Sequence, residues 1–357
     1  MIEGAVPGEI LAGPDAIRDT VRAVRPAAAS LARTLLDRGV RRVHVIGNGT
    51  SYHSALAATV LHRRHARPTD PAVVPLTAGE FRTYPPALGH GDAVVGISSS
   101  GEFRDVVGVV ESLRGRVPTV GIVNVADSSL ARVADHILQS AAGPSPMPVM
   151  TKTFSATLVA TELLLLELLG EEVAAPVEAA MIAAADDAAR AVEAAGAAVE
   201  GLAERFADCR HFFVVGAGAA HPAALEAALK LKEMALVHAE GVETWEMASG
   251  PATLVGPATT IVALEPAGPG LAATRDIVRH CAGWGARVIE VGPDRTVPEA
   301  ELLPVPPTAI EDHAPLTVVP PVALFAYALA RRHGIQPDRP AWTDRYRSQG
   351  LTHIPAT

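Results

Sequence analysis

Lysine is almost missing from this 357-residue chain: Lys152, Lys230 and Lys232 are the whole complement, and every other basic side chain is arginine or histidine. Any mechanism that needs a Schiff-base amine therefore has three candidates. Cysteine is scarcer still. Cys209 and Cys281 stand alone, with no Cys-x-x-Cys and no Cys/His metal spacing near them. That excludes a disulfide framework, gives no metal site and fits a reducing cytoplasm. Aromatic residues are 4%, the formal net charge is -9, and no basic run is interleaved with aromatics. Nucleic acid is thereby set aside as a partner, while anionic small molecules held by local N–H groups are not. No apolar run reaches the ~18 residues of a membrane span without charge or proline. The stretch 158–169 is interrupted by Glu162 and Glu167 and reads as a buried helix. The start, Met1-Ile-Glu-Gly-Ala-Val-Pro-Gly, has neither a basic n-region nor an apolar h-region, so no secretion signal is expected.

What is present is core-forming material: 49% hydrophobic residues and a mean hydropathy of +0.24. At roughly 150 residues per domain, two domains are expected. Residues 15–38 read as two helical pieces broken at Pro26. The run 42–46 is strand-like, ends in Gly47-Asn-Gly-Thr-Ser-Tyr52 and continues into an Ala/Leu helix, the opening of a doubly wound α/β unit. Further strands are expected at 72–76, 93–97 and 119–123, with a helix at 105–113. One long helix should begin near Thr151 and another, rich in alanine, should run over 175–206. The theme then returns. A strand at 211–215 leads into Gly216-Ala-Gly-Ala-Ala-His221 and a helix, with strands at 260–264 and 287–291 and helices at 271–284 and 320–333. Gly216 follows Gly47 by 169 residues (216 minus 47). The chain therefore reads as two copies of one α/β domain, each a parallel sheet flanked by helices in flavodoxin-like, doubly wound order.

The stretch 224–240 has no Gly or Pro and reads as one continuous helix. On it Glu226, Lys230 and Glu233 stand at i, i+4 and i+7, two carboxylates flanking one ammonium, while Leu225, Leu229 and Leu236 line another stripe. Charges held at fixed spacing on a rigid element suit a proton-transfer site. A solvated ladder of ion pairs is the plain alternative.

Hydroxyls cluster after two strands. Ser98, Ser99 and Ser100 precede Gly101, and Thr50 and Ser51 occupy the equivalent turn on the preceding strand. Hydroxyls and free amides at the carboxyl ends of parallel strands form an anion cradle, although serine is also an ordinary helix cap. A dinucleotide cofactor is set aside. Neither Gly47-Asn-Gly49 nor Gly216-Ala-Gly218 completes GxGxxG, because Tyr52 and His221 fill the third small position. No cofactor is expected.

These residues resemble the sugar isomerase (SIS) domain proteins, above all the isomerase half of glucosamine-6-phosphate synthase and the related glucosamine-6-phosphate deaminases and fructosamine-6-phosphate deglycases. The likeness runs through Glu9-Ile, Pro14-x-Ala-Ile17, Gly49-Thr-Ser-Tyr52, Glu80-Phe-Arg82, Ile97-Ser-Ser-Ser-Gly-Glu102, Thr151-Lys-Thr-Phe154, the 224–233 stretch, His238-Ala-Glu240, Gly250-Pro251 and Asp338-Arg-Pro340. It implies two tandem SIS domains: an N-terminal segment over 1–24, a first domain over 25–170, a connecting helix over 171–205, a second domain over 206–335 and a tail over the active site at 336–357. It implies that Ser51, Ser98 and Ser100, with the amide of Ser99, hold a sugar phosphate. Glu233 is similar to the glutamate that moves a proton between C1 and C2 of the open-chain sugar, and Glu226 and Lys230 to groups that position the substrate and tail. A homodimer or higher homo-oligomer is implied as well.

Three departures matter. Phe103 stands where the family has a phosphate-binding Thr. Ser249 stands where a ring-opening histidine precedes Gly-Pro, and a serine hydroxyl cannot take up a proton near neutrality as imidazole does. The tail offers Arg345 and Arg347 where the amide-transferring members have a Schiff-base lysine, and arginine stays protonated. His238, His221 and His53 are the accessory candidates, a lone histidine being more often structural. No N-terminal cysteine is present to release ammonia from glutamine, so a chain without a glutaminase domain is expected. The expected function is C1/C2 proton transfer on a sugar 6-phosphate with amine release or addition. The alternative is a non-catalytic, sugar-phosphate-binding regulator.

Overall fold

The computed structural model describes residues 3–307 and 311–343. In chain order the elements are α1 (Ala5–Leu11), α2 (Gly13–Asp37), β1 (Arg42–Gly47), α3 (Thr50–His65), β2 (Ala72–Thr77), α4 (Ala78–Thr83), β3 (Asp92–Ile97), α5 (Arg104–Ser112), β4 (Thr119–Val123), α6 (Ser129–Val133), β5 (His136–Gln139), α7 (Lys152–Glu167) and α8 (Glu171–Arg205). The second series is β6 (His211–Gly216), α9 (Ala220–Lys230), a π-helical turn (Leu231–Ala235), β7 (His238–Glu243), α10 (Thr244–Ala248), β8 (Thr259–Leu264), α11 (Leu271–Gly283), β9 (Arg287–Gly292), β10 (Glu301–Pro304) and α12 (Ala314–Arg332).

The chain forms two compact units, each around one sheet. The first-sheet unit comprises Asp15–Pro146 and Lys152–Ile182 with residues 341–343; the second comprises Met147–Thr151 and Ala183–Pro340 with residues 3–14. The division falls inside α8. Both sheets have five parallel strands. Their orders are β2-β1-β3-β4-β5 and β10-β9-β8-β6-β7, the same topology read from opposite ends.

Central strands are buried along their whole length: β3, β4 and β8 expose no residue. A parallel strand covered on both faces has no polar side to show, so Val, Ile and Ala run without alternation. On the first sheet Ile46, Val94, Val106, Val110, Val123 and Leu130 share one core cluster. On the second, Phe213, Val215, Ile261, Val278 and Val288 do the same.

Several sequence expectations are corrected. Pro26 does not break the first helix; α2 runs through it. Ile17, Val21, Val24, Ala28, Leu31 and Leu35 lie buried along one face. Burying each large side chain contributes about 1.5–3 kcal/mol, which together outweighs the ~3 kcal/mol cost of an interior proline. The stretch 224–240 is not one helix. It leaves α-geometry at Leu231, widens into the π-turn and ends at Leu236, whose φ of 53° is left-handed. His238 to Glu243 is then a strand. Strands β5, β7 and β10 were not expected; they are short or edge strands with polar residues among the apolar ones. β7 comes close to α9 because Gly241 lacks a side chain, and a Cβ there would lie 2.6 Å from Leu225 Cα.

Among the described residues one stretch, Glu311–Arg332, is long and apolar enough to cross a membrane by composition. It is 94% buried inside the fold, where α12 packs on α9. The second-sheet unit is also closed by a clasp. Asp338 Oδ1 accepts from Val6 N at 2.8 Å and its Oδ2 from the Tyr327 hydroxyl at 2.9 Å.

Candidate functional site

In the first-sheet unit the chain leaves β1 toward β2 on one side and β3 toward β4 on the other, so the order reverses between β1 and β3. Crevices at the carboxyl ends of strands at such a reversal are where open α/β sheets bind ligands. Both hydroxyl-bearing turns end here. At the β1 turn a Cβ on Gly47 would lie 2.8 Å from the Ser51 carbonyl carbon, so glycine lets the helix start against the strand. Gly49 has a φ of 52° and ψ of -126°, a conformation reserved for glycine. Thr50 and Ser51 are then buried in the first turn of α3. The Ser51 amide donates back to Asn48 O at 3.2 Å, and the positive end of the α3 dipole at this turn attracts negative charge.

The β3 turn is braced from several directions. Ser98, 2% exposed, accepts from Gly101 N through its Oγ at 3.1 Å. Ser100 Oγ accepts from Glu102 N at 3.2 Å. Ser99 O accepts from Asn124 N at 2.8 Å. Gly101, φ 70°, passes so close to Ser128 that a side chain would overlap its hydroxyl. The Glu102 carboxylate accepts from Ser129 N at 2.8 Å and from Ser129 Oγ at 2.7 Å. Its charge is thus spent on the start of α6. Phe103, in place of the resembling family's Thr, packs on the first core cluster.

In the second-sheet unit the structure brings Glu226, Lys230 and Glu233 together, in an arrangement the stripe did not foretell. Lys230 Nζ lies 3.1 Å from Glu226 Oε1 and donates to Glu233 Oε2 at 2.7 Å. The side chains of Lys230 and Glu226 are 1% and 0% exposed, and that of Glu233 is 24% exposed. The solvated-ladder alternative is excluded. The leucine stripe is inverted: Leu225 and Leu229 are half-buried and Leu236 is exposed. The reason is tertiary, since α9 packs against β6, β7 and α12 and its charged face is the one turned inward. Burial alone would push the Lys230 ammonium down, but the Glu226 and Glu233 carboxylates outweigh it and hold its pKa above the ordinary value. Lys230 is therefore a fixed cation. Glu233 sits on the π-turn, a widened helical turn of the kind common at functional sites.

The accessory candidates are dispersed. His238 is exposed at the start of β7, its ring 5.7 Å from that of His211. His53 lies beside Tyr52 on α3, and His221 is half-buried in the first turn of α9. Ser249 ends α10, exposed, its hydroxyl donating to Trp245 O at 3.4 Å. Arg345 and Arg347 lie outside the described residues. Glu243 caps α10 by accepting from Trp245 N at 2.7 Å. Among the described residues no group of three or more His, Cys, Asp or Glu is placed to hold a metal ion.

Sequence reasoning missed the Glu102–Ser129 brace and a buried acid pair, Glu265 just after β8 and Glu290 on β9. There Glu265 Oε2 accepts from Arg275 Nε at 2.8 Å, and Glu290 accepts from the amides of Thr296 and Val297. Burial pushes the Glu265 carboxyl up to about 7, with the neighbouring Glu290 adding to the rise and Arg275 opposing it. A signal for Glu265 was present: it follows β8 as Ser98 follows β3.

The SIS domain model matches residues 38–167 and 205–291. The chain belongs to the SIS domain family. Its two sheets are two tandem SIS domains. Among curated relatives, glutamine–fructose-6-phosphate aminotransferase (isomerizing) of Pyrococcus horikoshii is 32% identical over 341 residues, covering 93% of this chain and 55% of the relative. The protein of the same name from Aquifex aeolicus is 33% identical over 347 residues, with 93% and 55% covered. The chain spans about half the length of the curated relatives it matches. Among solved structures, the C-terminal domain of glucosamine-fructose-6-phosphate aminotransferase from Francisella tularensis superposes with a TM-score of 0.87 at 24% identity, covering 95% of this chain and 99% of that one. Tagatose-6-phosphate ketose/aldose isomerase from Escherichia coli gives 0.79 at 20%, with 94% of each chain covered. These likenesses establish the fold.

Proposed function

We propose that this SIS protein is a phosphosugar-processing enzyme that transfers a proton between C1 and C2 of a sugar 6-phosphate, with release or addition of an amine. Ser51, Ser98 and Ser100, with the Ser99 amide and Thr50, take the phosphate. Glu233 removes a proton from one carbon and returns it to the other through a cis-enediol or enolamine. Lys230 stays an ammonium and fixes the Glu233 carboxylate, with Glu226 neutralising its charge. The observation that carries this reading is the buried, doubly paired Lys230 holding the one partly exposed carboxylate of the cluster. A cation so paired is no imine-forming amine at neutral pH and the tail over 336–357 carries no lysine, which favours nitrogen entering or leaving as the substrate's own. This favours deaminase or deglycase chemistry over amide transfer, although the curated relatives carry the aminotransferase name. A cytoplasmic homo-oligomer acting on a free small molecule completes the proposal.

The test is a panel of amino-sugar and ketosamine 6-phosphates assayed for ammonia or amine release. Glu233→Gln should lower kcat by about 10³-fold, as expected for loss of a general base, while sugar-phosphate affinity changes less than about threefold. Wild-type turnover by Glu233→Gln overturns the assignment. A second reading, a non-catalytic sugar-phosphate binder, is favoured by the exposed Ser249 in the place of a proton-carrying histidine. Tight binding without turnover of any member of the panel would select it.

A further inference from the structure

Strands β6 and β7 are parallel neighbours that both begin with histidine, His211 in register with His238. Side chains alternate between the two faces of a sheet, so His211, Phe213 and Val215 share a face with His238, Glu240 and Val242. Phe213, Val215 and Val242 pack there with Val278 and Cys281 of α11. Gly241 has the opposite orientation, toward Leu225 of α9. The two histidines therefore stand on the α11 side of the sheet, across it from Lys230 and its carboxylates.

Both histidines are exposed, with ring centroids 5.7 Å apart and ring planes tilted by 54°. Among the described residues each ring has the other as its partner, and neither makes a hydrogen bond or an ion pair. Their nitrogens are thus available. A neutral imidazole binds a metal ion at about 2.1 Å, and two rings on one tetrahedral ion have centres roughly 5 Å apart. A small rotation of exposed side chains closes the difference. Glu240, the next residue on this face of β7, is exposed and adds negative charge. The basic neighbour in sequence, Arg210, commits its guanidinium to Ala207 O, Cys209 O and His333 Nε2.

We propose that His211 and His238 together bind one divalent transition-metal ion of the class that imidazole prefers, zinc, nickel or copper. No third His, Cys, Asp or Glu among the described residues completes a cage, so water fills the other coordination positions and the ion is exchangeable. The ion clamps β7, an edge strand, to β6. Binding to the folded chain raises its stability. His238 follows the left-handed Leu236 by two residues, so the clamp steadies the strand into which the Glu233 turn runs.

Nickel chloride titrated into the whole protein at about pH 8, where imidazole is neutral, and followed by calorimetry tests this. Wild-type protein should take up one ion per chain at concentrations on the order of micromolar. Magnesium chloride should give no binding, because magnesium selects oxygen ligands. His211→Asn and His238→Asn should each weaken nickel binding by about tenfold or more. His280→Asn, at an exposed histidine of α11 outside the pair, should leave it unchanged. Saturating nickel should raise the melting temperature of the wild type and of neither pair variant. No uptake by the wild type overturns the proposal, as does uptake that survives either pair substitution. Crystals soaked in zinc chloride give a reading that needs no variant. An anomalous peak between the two rings supports the site, and peaks elsewhere with none at the pair overturn it.

Discussion

Lys230 illustrates what burial does to an ion. With Glu226 fully enclosed and Glu233 partly so, removing the cation takes from a buried carboxylate the ion pair that holds it. Breaking such a pair costs about 3–5 kcal/mol, whereas replacing both partners by apolar groups of similar size is often near neutral. Lys230→Met should therefore lower the urea midpoint strongly, and Lys230→Met with Glu226→Leu should recover most of the loss. Activity should stay absent in both, because neither restores a fixed Glu233. A midpoint unchanged in the single variant would show that the buried charge is compensated elsewhere. At this scale the sequence was legible in part. The i, i+4 spacing of Glu226 and Lys230 announced an ion pair, but periodicity does not say which face of a helix turns inward. Only packing against β6, β7 and α12 decides that.

At the scale of elements, the central strands were legible because they are buried on both faces and rich in β-branched residues, as in Arg42–Gly47 and Thr119–Val123. β7 was not. Its polar residues His238, Glu240 and Glu243 continue the apparent helix pattern, and nothing local marks Leu236 as the left-handed residue that ends it. The cradle was legible as residue types, since three serines and a glycine after a strand carry their own chemistry. Its bracing was not, because Ser129 lies 27 residues beyond Glu102 and Ser128 meets Gly101 only in the folded chain. Gly101 provides the test. Alanine there must adopt a positive φ and collide with Ser128, so Gly101→Ala should weaken inorganic phosphate binding at least tenfold (about 1.4 kcal/mol) while far-UV circular dichroism is unchanged. Unaltered affinity would place the phosphate elsewhere.

For the molecule as a whole, duplication explains the architecture, and divergence between the copies explains the division of labour. One copy carries hydroxyls at its crevice; the other carries acids. The acids make stability depend on pH. Glu265 carries a carboxyl raised from 4.5 to about 7 in the fold, so the folded state binds this proton more tightly than the unfolded one. Its contribution is complete below the unfolded value and is lost as pH rises through about 7, a span worth on the order of 3 kcal/mol. Glu265→Gln should flatten the fall in urea midpoint between about pH 5 and pH 8. A variant whose curve keeps the wild-type slope would assign the effect to other groups.

The clasp of Asp338 on Val6 N spans 332 positions of the chain. Helix α1 is therefore synthesised 332 residues ahead of the carboxylate that its amide meets. Until residue 338 has cleared the exit tunnel, the second-sheet unit has no means of docking α1 through this clasp.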